Sequence, residues 1–338
     1  MSPTEPMRDR AKRGEMPTIK ILQQLLAAIV GVGVVLASPT GASAQADCSS
    51  EPLAVQVLGS GGPYAGGTRA STGYLVWRDG RAVVMIDTGG GTFLRFGEAG
   101  ARLQDVSLLA VSHLHPDHIS DLPALLWLSE LARQQPLKIA GPSGGGAFPS
   151  FDTFVSRLFD SNSGAFPILS GTLGQAGQGV RLDVVVVDAA AGTAQAVWSD
   201  TGLEVSAIGV PHGNVPSIAY RIKAGDRSVV FGSDQNGSDP RFTTFAAGAD
   251  ALVMHLGLSQ QAPAAIAQVH ARPATVGQVA QNAKAKRLVL SHFIKAPSTA
   301  KTPEWFSLFD LEQAVAEVRK HFSGPIDRAM DLQCIAIR

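Results

Sequence analysis

The chain has 338 residues, 45% of them hydrophobic and 17% charged, which is ample for one large globular domain with a buried core. Its 28 basic and 28 acidic side chains cancel. A neutral balance excludes a general electrostatic pull on a polyanion.

The first element in chain order is a leader. Arg8, Arg10, Lys12, Arg13 and Lys20 precede an uncharged apolar run from Leu25 to Ala37. Small residues follow, and both Ala42-Ser43-Ala44 and Ala44-Gln45-Ala46 satisfy an A-x-A cleavage rule. A basic start, a short apolar segment and that ending describe a secretory signal peptide over residues 1–46. Met16 is an alternative initiator that would shorten the basic region to Lys20. The run falls short of the roughly 20 residues a membrane span needs, so no stable anchor is expected after cleavage. Asp47 ahead of Cys48 argues against a lipid-modified cysteine, and no arginine pair precedes the run. The expectation is a periplasmic or secreted domain of residues 47–338. Removing the leader's five basic and three acidic residues leaves 23 and 25. Cys48 and Cys334, the two cysteines, sit at the two ends of that domain. In an oxidising compartment they are expected to close a disulfide.

Leu53 to Leu58 reads as a strand entering the loop Gly59-Ser60-Gly61-Gly62-Pro63. Gly73 to Trp77 and Ala82 to Ile86 form a strand pair across Arg78-Asp79-Gly80-Arg81, and the second strand runs into Asp87-Thr88-Gly89-Gly90-Gly91. A short helix over Thr92 to Ala101, a buried strand over Ser107 to Val111 and an apolar helix from Leu122 to Arg133 come next. A short strand is centred on Ile139, and Phe151 to Phe159 is a helix with Phe151, Phe154, Val155 and Leu158 on one side. After the Gly- and Ser-rich stretch Ser161 to Gly179, strands follow at Leu182 to Val187, Thr193 to Trp198, Leu203 to Val210, Ser217 to Ile222, Ser228 to Phe231 and Ala251 to Met254. The chain closes with a helix over Thr275 to Ala283, a strand over Arg287 to Leu290 and a helix over Leu311 to His321. Two runs of strands interspersed with helices predict two packed sheets with helices outside, in one domain without internal linker or repeat.

The chemical signal is His113-Leu114-His115-Pro116-Asp117-His118, which directly follows the strand ending at Val111. Three imidazoles and a carboxylate within six residues are ligands that zinc takes up readily. On a turning loop His113 and His115 project to one side and can grip one ion, while Asp117 and His118 are offset enough to reach a second. Without a metal, four such groups would repel whenever the histidines charge.

This motif resembles that of the metallo-β-lactamase-fold superfamily. The further landmarks of that pattern recur in order, each after an apolar strand: Asp87 in Ile86-Asp87-Thr88-Gly89, His212 in Val210-Pro211-His212-Gly213, Asp234 in Phe231-Gly232-Ser233-Asp234, and His292 in Leu290-Ser291-His292-Phe293. The resemblance spans nearly all of residues 47–338 and implies a four-layer αββα sandwich. It also implies two metal ions, zinc by preference with iron or manganese as alternatives. His113, His115 and His212 would hold the first, Asp117, His118 and His292 the second, with Asp234 bridging and Asp87 a buried supporting carboxylate.

Leu58-Gly59-Ser60-Gly61, Pro211 to Arg221 and Arg287 to Phe293 are similar to the ribonuclease Z and arylsulfatase-like branch. That branch carries His-Glu-Ala-Thr after a late strand; here the position reads His255-Leu256-Gly257-Leu258, so the Glu is missing. His270 matches a later histidine of the branch and is a candidate proton donor beside Asp117, the other expected catalytic residue. Between Ile119 and Pro211 the basic side chains are Arg133, Lys138, Arg157 and Arg181, few for a groove that grips transfer RNA. The expected partner is therefore a small molecule and not a nucleic acid. The expected activity is hydrolysis of small phosphodiesters, sulfate esters or related esters by a hydroxide shared between two ions. Lactone or β-lactam hydrolysis, or iron-dependent oxidation on the same fold, are the alternatives. The glycines of Gly59 to Gly62 and Gly89 to Gly91 are read either as close-approach points for an anionic ester or as tight turns.

Overall fold

The computed structural model describes residues 47–64, 67–294 and 310–338. The leader signature lies outside them.

The β-strands are β1 (Leu53–Gly59), β2 (Gly73–Arg78), β3 (Arg81–Ile86), β4 (Leu108–Ala110), β5 (Leu137–Pro142), β6 (Leu182–Val187) and β7 (Gln195–Asp200). The second half holds β8 (Leu203–His212), β9 (Val215–Ala224), β10 (Arg227–Phe231), β11 (Ala251–His255), β12 (Leu288–Ser291), β13 (Ile326–Arg328) and β14 (Cys334–Ala336). They form two seven-stranded sheets, ordered β14-β1-β2-β3-β4-β5-β6 and β13-β12-β11-β10-β9-β8-β7. Each sheet is mixed in the same way. Meander strands pair antiparallel from β14 to β3 and from β7 to β10. The strands from β3 to β6 and from β10 to β13 then pair in parallel.

Alternation along the first sheet builds the layers, because successive side chains point to opposite faces. Val55, Val57, Tyr74, Val76, Val84, Ile86, Leu108 and Ala110 join the core shared with the second sheet. The intervening Ala54, Leu58, Leu75, Trp77, Met85 and Leu109 pack outward with Leu122, Leu126, Phe151 and Val155. Those outward partners come from helices α1 (Thr92–Glu98), α2 (Pro116–Ile119), α3 (Leu122–Leu126), α4 (Ser129–Ala132) and α5 (Phe151–Phe159) and the segments between them. The second sheet is covered by α6 (Pro240–Phe245), α7 (Pro273–Asn282) and α8 (Leu311–Arg319), which contribute Phe242, Val276, Val279, Ala280, Val315 and Val318. The architecture is the expected α/β sandwich, helices outside two stacked sheets. Among the described residues no helix is long and apolar enough to cross a membrane.

Three local expectations differ. The helix expected over Leu122 to Arg133 breaks into α3 and α4, because Leu128 takes a left-handed backbone (φ 59°) between them. The Gly- and Ser-rich stretch contains a 3-10 helix, Pro167–Leu173. The closing strands β13 and β14, too short to show periodicity, were not foreseen in the pattern; β14 pairs with β1 in the register Gln56↔Cys334. That pairing brings the chain ends together, and Cys48 and Cys334 form the expected disulfide across a sequence separation of 286.

Candidate metal centre

All the candidate ligands leave the same edge of the sandwich, at the C-terminal ends of β3, β4, β8, β10, β11 and β12. Crevices beyond strand C-termini are where open α/β sheets place ligands. Asp87 follows β3, the His113–His118 run follows β4, His212 ends β8, Asp234 follows β10, His255 ends β11 and His292 follows β12. Three non-glycine residues at these exits hold a left-handed backbone: Asp87 (φ 59°), Ser233 (φ 60°) and His292 (φ 57°). Such strain costs about 1–3 kcal/mol each and persists where the surroundings over-determine it. Here it turns the chain sharply at each of these strand ends.

The central run is shaped by Pro116. His115 is still extended (φ −73°, ψ 145°), and Pro116 then opens the four-residue α2, which carries Asp117 and His118 in its turn. The extended-to-helical change sends His113 and His115 one way and Asp117 and His118 another. Two glycines let the neighbouring loops close on this run. A Cβ on Gly89 would lie 2.1 Å from the Asp117 carbonyl oxygen, and one on Gly62 would lie 2.8 Å from the His292 ring. The Gly89 loop is thus a packing device against the motif, which decides its reading in favour of a tight turn.

Asp87 is 1% exposed and organises the motif from behind. It accepts the Ser112 N–H (2.7 Å), the Ser112 hydroxyl (2.8 Å) and the His118 Nδ1–H (2.8 Å). With Nδ1 engaged, His118 Nε2 is buried with no hydrogen-bond partner, 3.6 Å from Asp234 Oδ2 and 3.7 Å from Asp117 Oδ2. His212 is held likewise: Nδ1 donates to the Val269 carbonyl (2.6 Å), which aims Nε2 at the cluster. His115 Nδ1 lies 3.0 Å from His113 Nε2 and 3.4 Å from His212 Nε2. Asp234 Oδ2 sits 3.6–3.7 Å from the Nε2 atoms of His113, His118, His212 and His270. His292 Nε2 is 3.2 Å from Asp117 Oδ2 and 3.4 Å from Asp234 Oδ1.

Two groups of donor atoms therefore converge within 4.8 Å, His113 with His115, His212 and Asp234, and His118 with Asp234, His255 and His292. A buried imidazole nitrogen with no hydrogen-bond partner, facing two carboxylates, marks a place where positive charge is favoured, whether carried by a proton or by a metal ion. The donor set fits divalent metal ions, with Asp234 common to both groups. All eight residues expected at the site, Asp117 and His270 included, are gathered here. Sequence reasoning missed His255, whose signal was present: it ends an apolar strand, as His212 does. It also missed Ser112, whose hydroxyl touches Asp87 and His113 Nδ1 (3.1 Å); a lone serine carries no pattern.

Electrostatics in the cluster oppose burial with charge. Burial raises the carboxyl of Asp117, but the charge of His118 and the His292 contact outweigh it and hold Asp117 at about 2. Asp234 is also driven up by burial, yet His292, His270 and His118 carry it well below the usual carboxylate range. Burial pulls His118 down, and Asp87, Asp234 and Asp117 reverse this to hold it well above the ordinary imidazole value. His113 goes the other way, lowered first by burial and then by His118. Burial likewise takes His270 down to about 3, against the pull of Asp234. Both carboxylates are thus ionised and His113 and His270 neutral at pH 7, whereas the carboxylates around His118 favour a positive charge there, a charge that a bound cation would supply in place of the proton.

Comparison with known proteins agrees with this geometry. Residues 82–293 match the family model described as Beta-lactamase superfamily domain. A Ribonuclease Z of Mycobacterium sp. (strain KMS) is 30% identical over 269 residues, covering 75% of this chain and 88% of that protein. The short form of human tRNase Z superposes with a TM-score of 0.63 at 20% identity, over 84% of this chain and 99% of the other. The metallo-beta-lactamase fold protein YhfI from Bacillus subtilis does so with a TM-score of 0.62 at 19% identity, over the same shares.

These relatives correct one expectation. The absence of a nucleic-acid partner was inferred from net charge and from the few basic residues between Ile119 and Pro211. Relatives at 30% identity over three-quarters of the chain are ribonucleases, so that exclusion does not stand. The reason is physical: overall charge reports the mean field of a protein, whereas a phosphate is met locally, and a metal centre brings positive charge that no residue count includes.

Proposed function

The chain belongs to the Beta-lactamase superfamily domain family and is a metal-dependent hydrolase, and from that premise we propose that it cleaves phosphodiester bonds with a two-ion centre. One observation carries the reading: two converging donor groups share Asp234, with Asp117 facing the same His118 and His292 nitrogens and His270 beside the shared carboxylate. A pair of divalent ions, when bound, polarises a phosphoryl oxygen and lowers the pKa of water. His113, His115 and His212 would hold one, and Asp117, His118 and His292 the other, with Asp234 between them. The nitrogen-rich set favours zinc, with iron and manganese as alternative outcomes of metal analysis.

The chain's own groups do the rest. Asp117 turns Oδ2 toward His118 and His292, which leaves Oδ1 to orient the attacking water. His270 is 15% exposed in its side chain, its Nε2 3.7 Å from Asp234 Oδ2; neutral in the free site, it would act as proton donor to a leaving oxygen once the negative charge of a bound phosphodiester raises its proton affinity. Asp87 and the Val269 carbonyl fix the His118 and His212 rings, so little reorganisation is required as charge develops. We further propose, from the leader signature of residues 1–46, that the domain works outside the cytoplasm, in the periplasm or secreted.

The test is a hydrolysis screen of metal-loaded protein on an RNA carrying a 3′ extension, a small bis-aryl phosphodiester, an aryl sulfate, a lactone and a β-lactam, with metal analysis. Phosphodiesters should be cleaved, chelation should stop the reaction, and Asp117→Ala should abolish it. A sulfate, lactone or β-lactam hydrolysed in preference to both phosphodiesters would overturn the reading.

A further inference from the structure

Asp234 has a second set of partners that the proposed reaction does not use. Beside the carboxylate, on the Oδ1 side, His255 ends β11 and is 6% exposed. Its Nδ1–H donates to Asp234 Oδ1 at 2.6 Å, the shortest polar contact Asp234 makes. Its other ring nitrogen, Nε2, lies 3.3 Å from the hydroxyl of Tyr74, which also meets Ser291 Oγ at 2.8 Å. Tyr74 comes from β2 in the first sheet and is 1% exposed; Ser291 ends β12 in the second and is fully buried. The chain Asp234–His255–Tyr74–Ser291 therefore runs from the centre into the seam between the sheets. The His255 ring also stacks on His292, with centroids 4.5 Å apart and planes 14° from parallel.

Distance alone would count His255 among the donors of the second group. Its hydrogen bonding argues otherwise. A ligand needs a free nitrogen lone pair facing the ion, but Nδ1 spends its hydrogen on Asp234 and Nε2 is turned toward a hydroxyl in the core. Compare His118 and His212, each with one nitrogen tied to the protein and the other aimed at the cluster. In His255 neither nitrogen remains for the metal.

We propose that His255 is a positioning residue, a hydrogen-bond donor braced by Tyr74 and Ser291 that locks the Asp234 carboxylate so that Oδ2 faces both donor groups at once. A carboxylate free to rotate could serve one group or the other; pinned by Oδ1, it is presented to both. This rests on the two-ion reading above, and it makes an independent demand: removing the donor should selectively weaken one of the two ions. Outer partners of this kind govern metal affinity by 10–100-fold, roughly.

The experiment is metal titration of the full protein, stripped and reloaded with cobalt(II), reading stoichiometry, affinity and the visible absorption of the bound ion. Wild type should take two ions per chain. His255→Phe fills the space but removes the donor; one ion should then bind roughly 10–100-fold more weakly, with an altered spectrum. His255→Asn retains an N–H near the Nδ1 position and should restore affinity to within about threefold of wild type. Tyr74→Phe, which removes only a hydroxyl, should give a smaller shift in the same ion and guards against misfolding in the His255 variants. If His255→Phe binds both ions as wild type does, or if His255→Asn is as impaired as His255→Phe, the positioning role is overturned. Wild type that binds fewer than two ions would instead overturn the two-ion reading, and the inference with it.

Discussion

Breaking the Cys48–Cys334 disulfide should be among the costliest changes available outside the site. The bridge closes a loop spanning a sequence separation of 286, nearly the whole domain. In the chain-entropy account, closing a loop of that length restricts the unfolded chain by an amount worth on the order of 5–6 kcal/mol at 25 °C. Measured effects usually fall below this, because the unfolded chain is more compact than a random coil, so a loss of about 3–5 kcal/mol is expected. That is a large part of the 5–15 kcal/mol or so that typically separates folded from unfolded states. The perturbation is Cys48→Ala with Cys334→Ala, and the assay is equilibrium unfolding in guanidinium chloride against the oxidised wild type. Catalysis should survive at temperatures well below the transition. The loop that carries Gly62 against His292 is tied down separately: Asp331 accepts the Ser60 and Ala70 N–H groups at 3.0 and 2.7 Å. A stability loss under about 1 kcal/mol would refute the reasoning, since it would mean that the β1–β14 pairing already confines the chain ends as tightly as the covalent link does.

His270→Ala should lower kcat by roughly 10²–10⁴-fold for diesters with poor leaving groups and far less for a nitrophenolate, with metal content unchanged; equal losses for both would exclude proton donation. Gly89→Ala should be damaging well beyond a usual surface change, because its Cβ would meet the Asp117 carbonyl at 2.1 Å. A stability loss of about 2 kcal/mol or more, with weakened metal binding, is expected in thermal melts and titration; a variant within about 0.5 kcal/mol of wild type would show that the loop is free to move.

How much of this was legible depended on whether a property resides in local order or in remote partners. The strands that surround the centre were readable because they are continuous apolar runs: Ala82 to Ile86, Leu203 to Val210 and Ala251 to Met254 all emerged within a few residues of the observed β3, β8 and β11. The helix from Leu122 was readable in character but not in continuity, since the left-handed Leu128 that splits it is imposed from outside the segment. Net charge misled about nucleic acid because it averages over a surface whose relevant part is a few ångströms wide.

By itself the sequence determined which candidate ligands are present, the order in which they follow their strands and the single wide loop its two cysteines would close. Those are properties of composition and spacing. Tertiary structure alone decided which nitrogen of each histidine faces the cluster. It showed that His118 keeps Nε2 free of hydrogen bonds because Asp87 takes Nδ1, while His255, also buried and in the same group of donors, turns both nitrogens to protein partners. Ring orientation is settled by hydrogen-bond partners contributed from other strands, and no spacing along one chain encodes which partner will be across the seam.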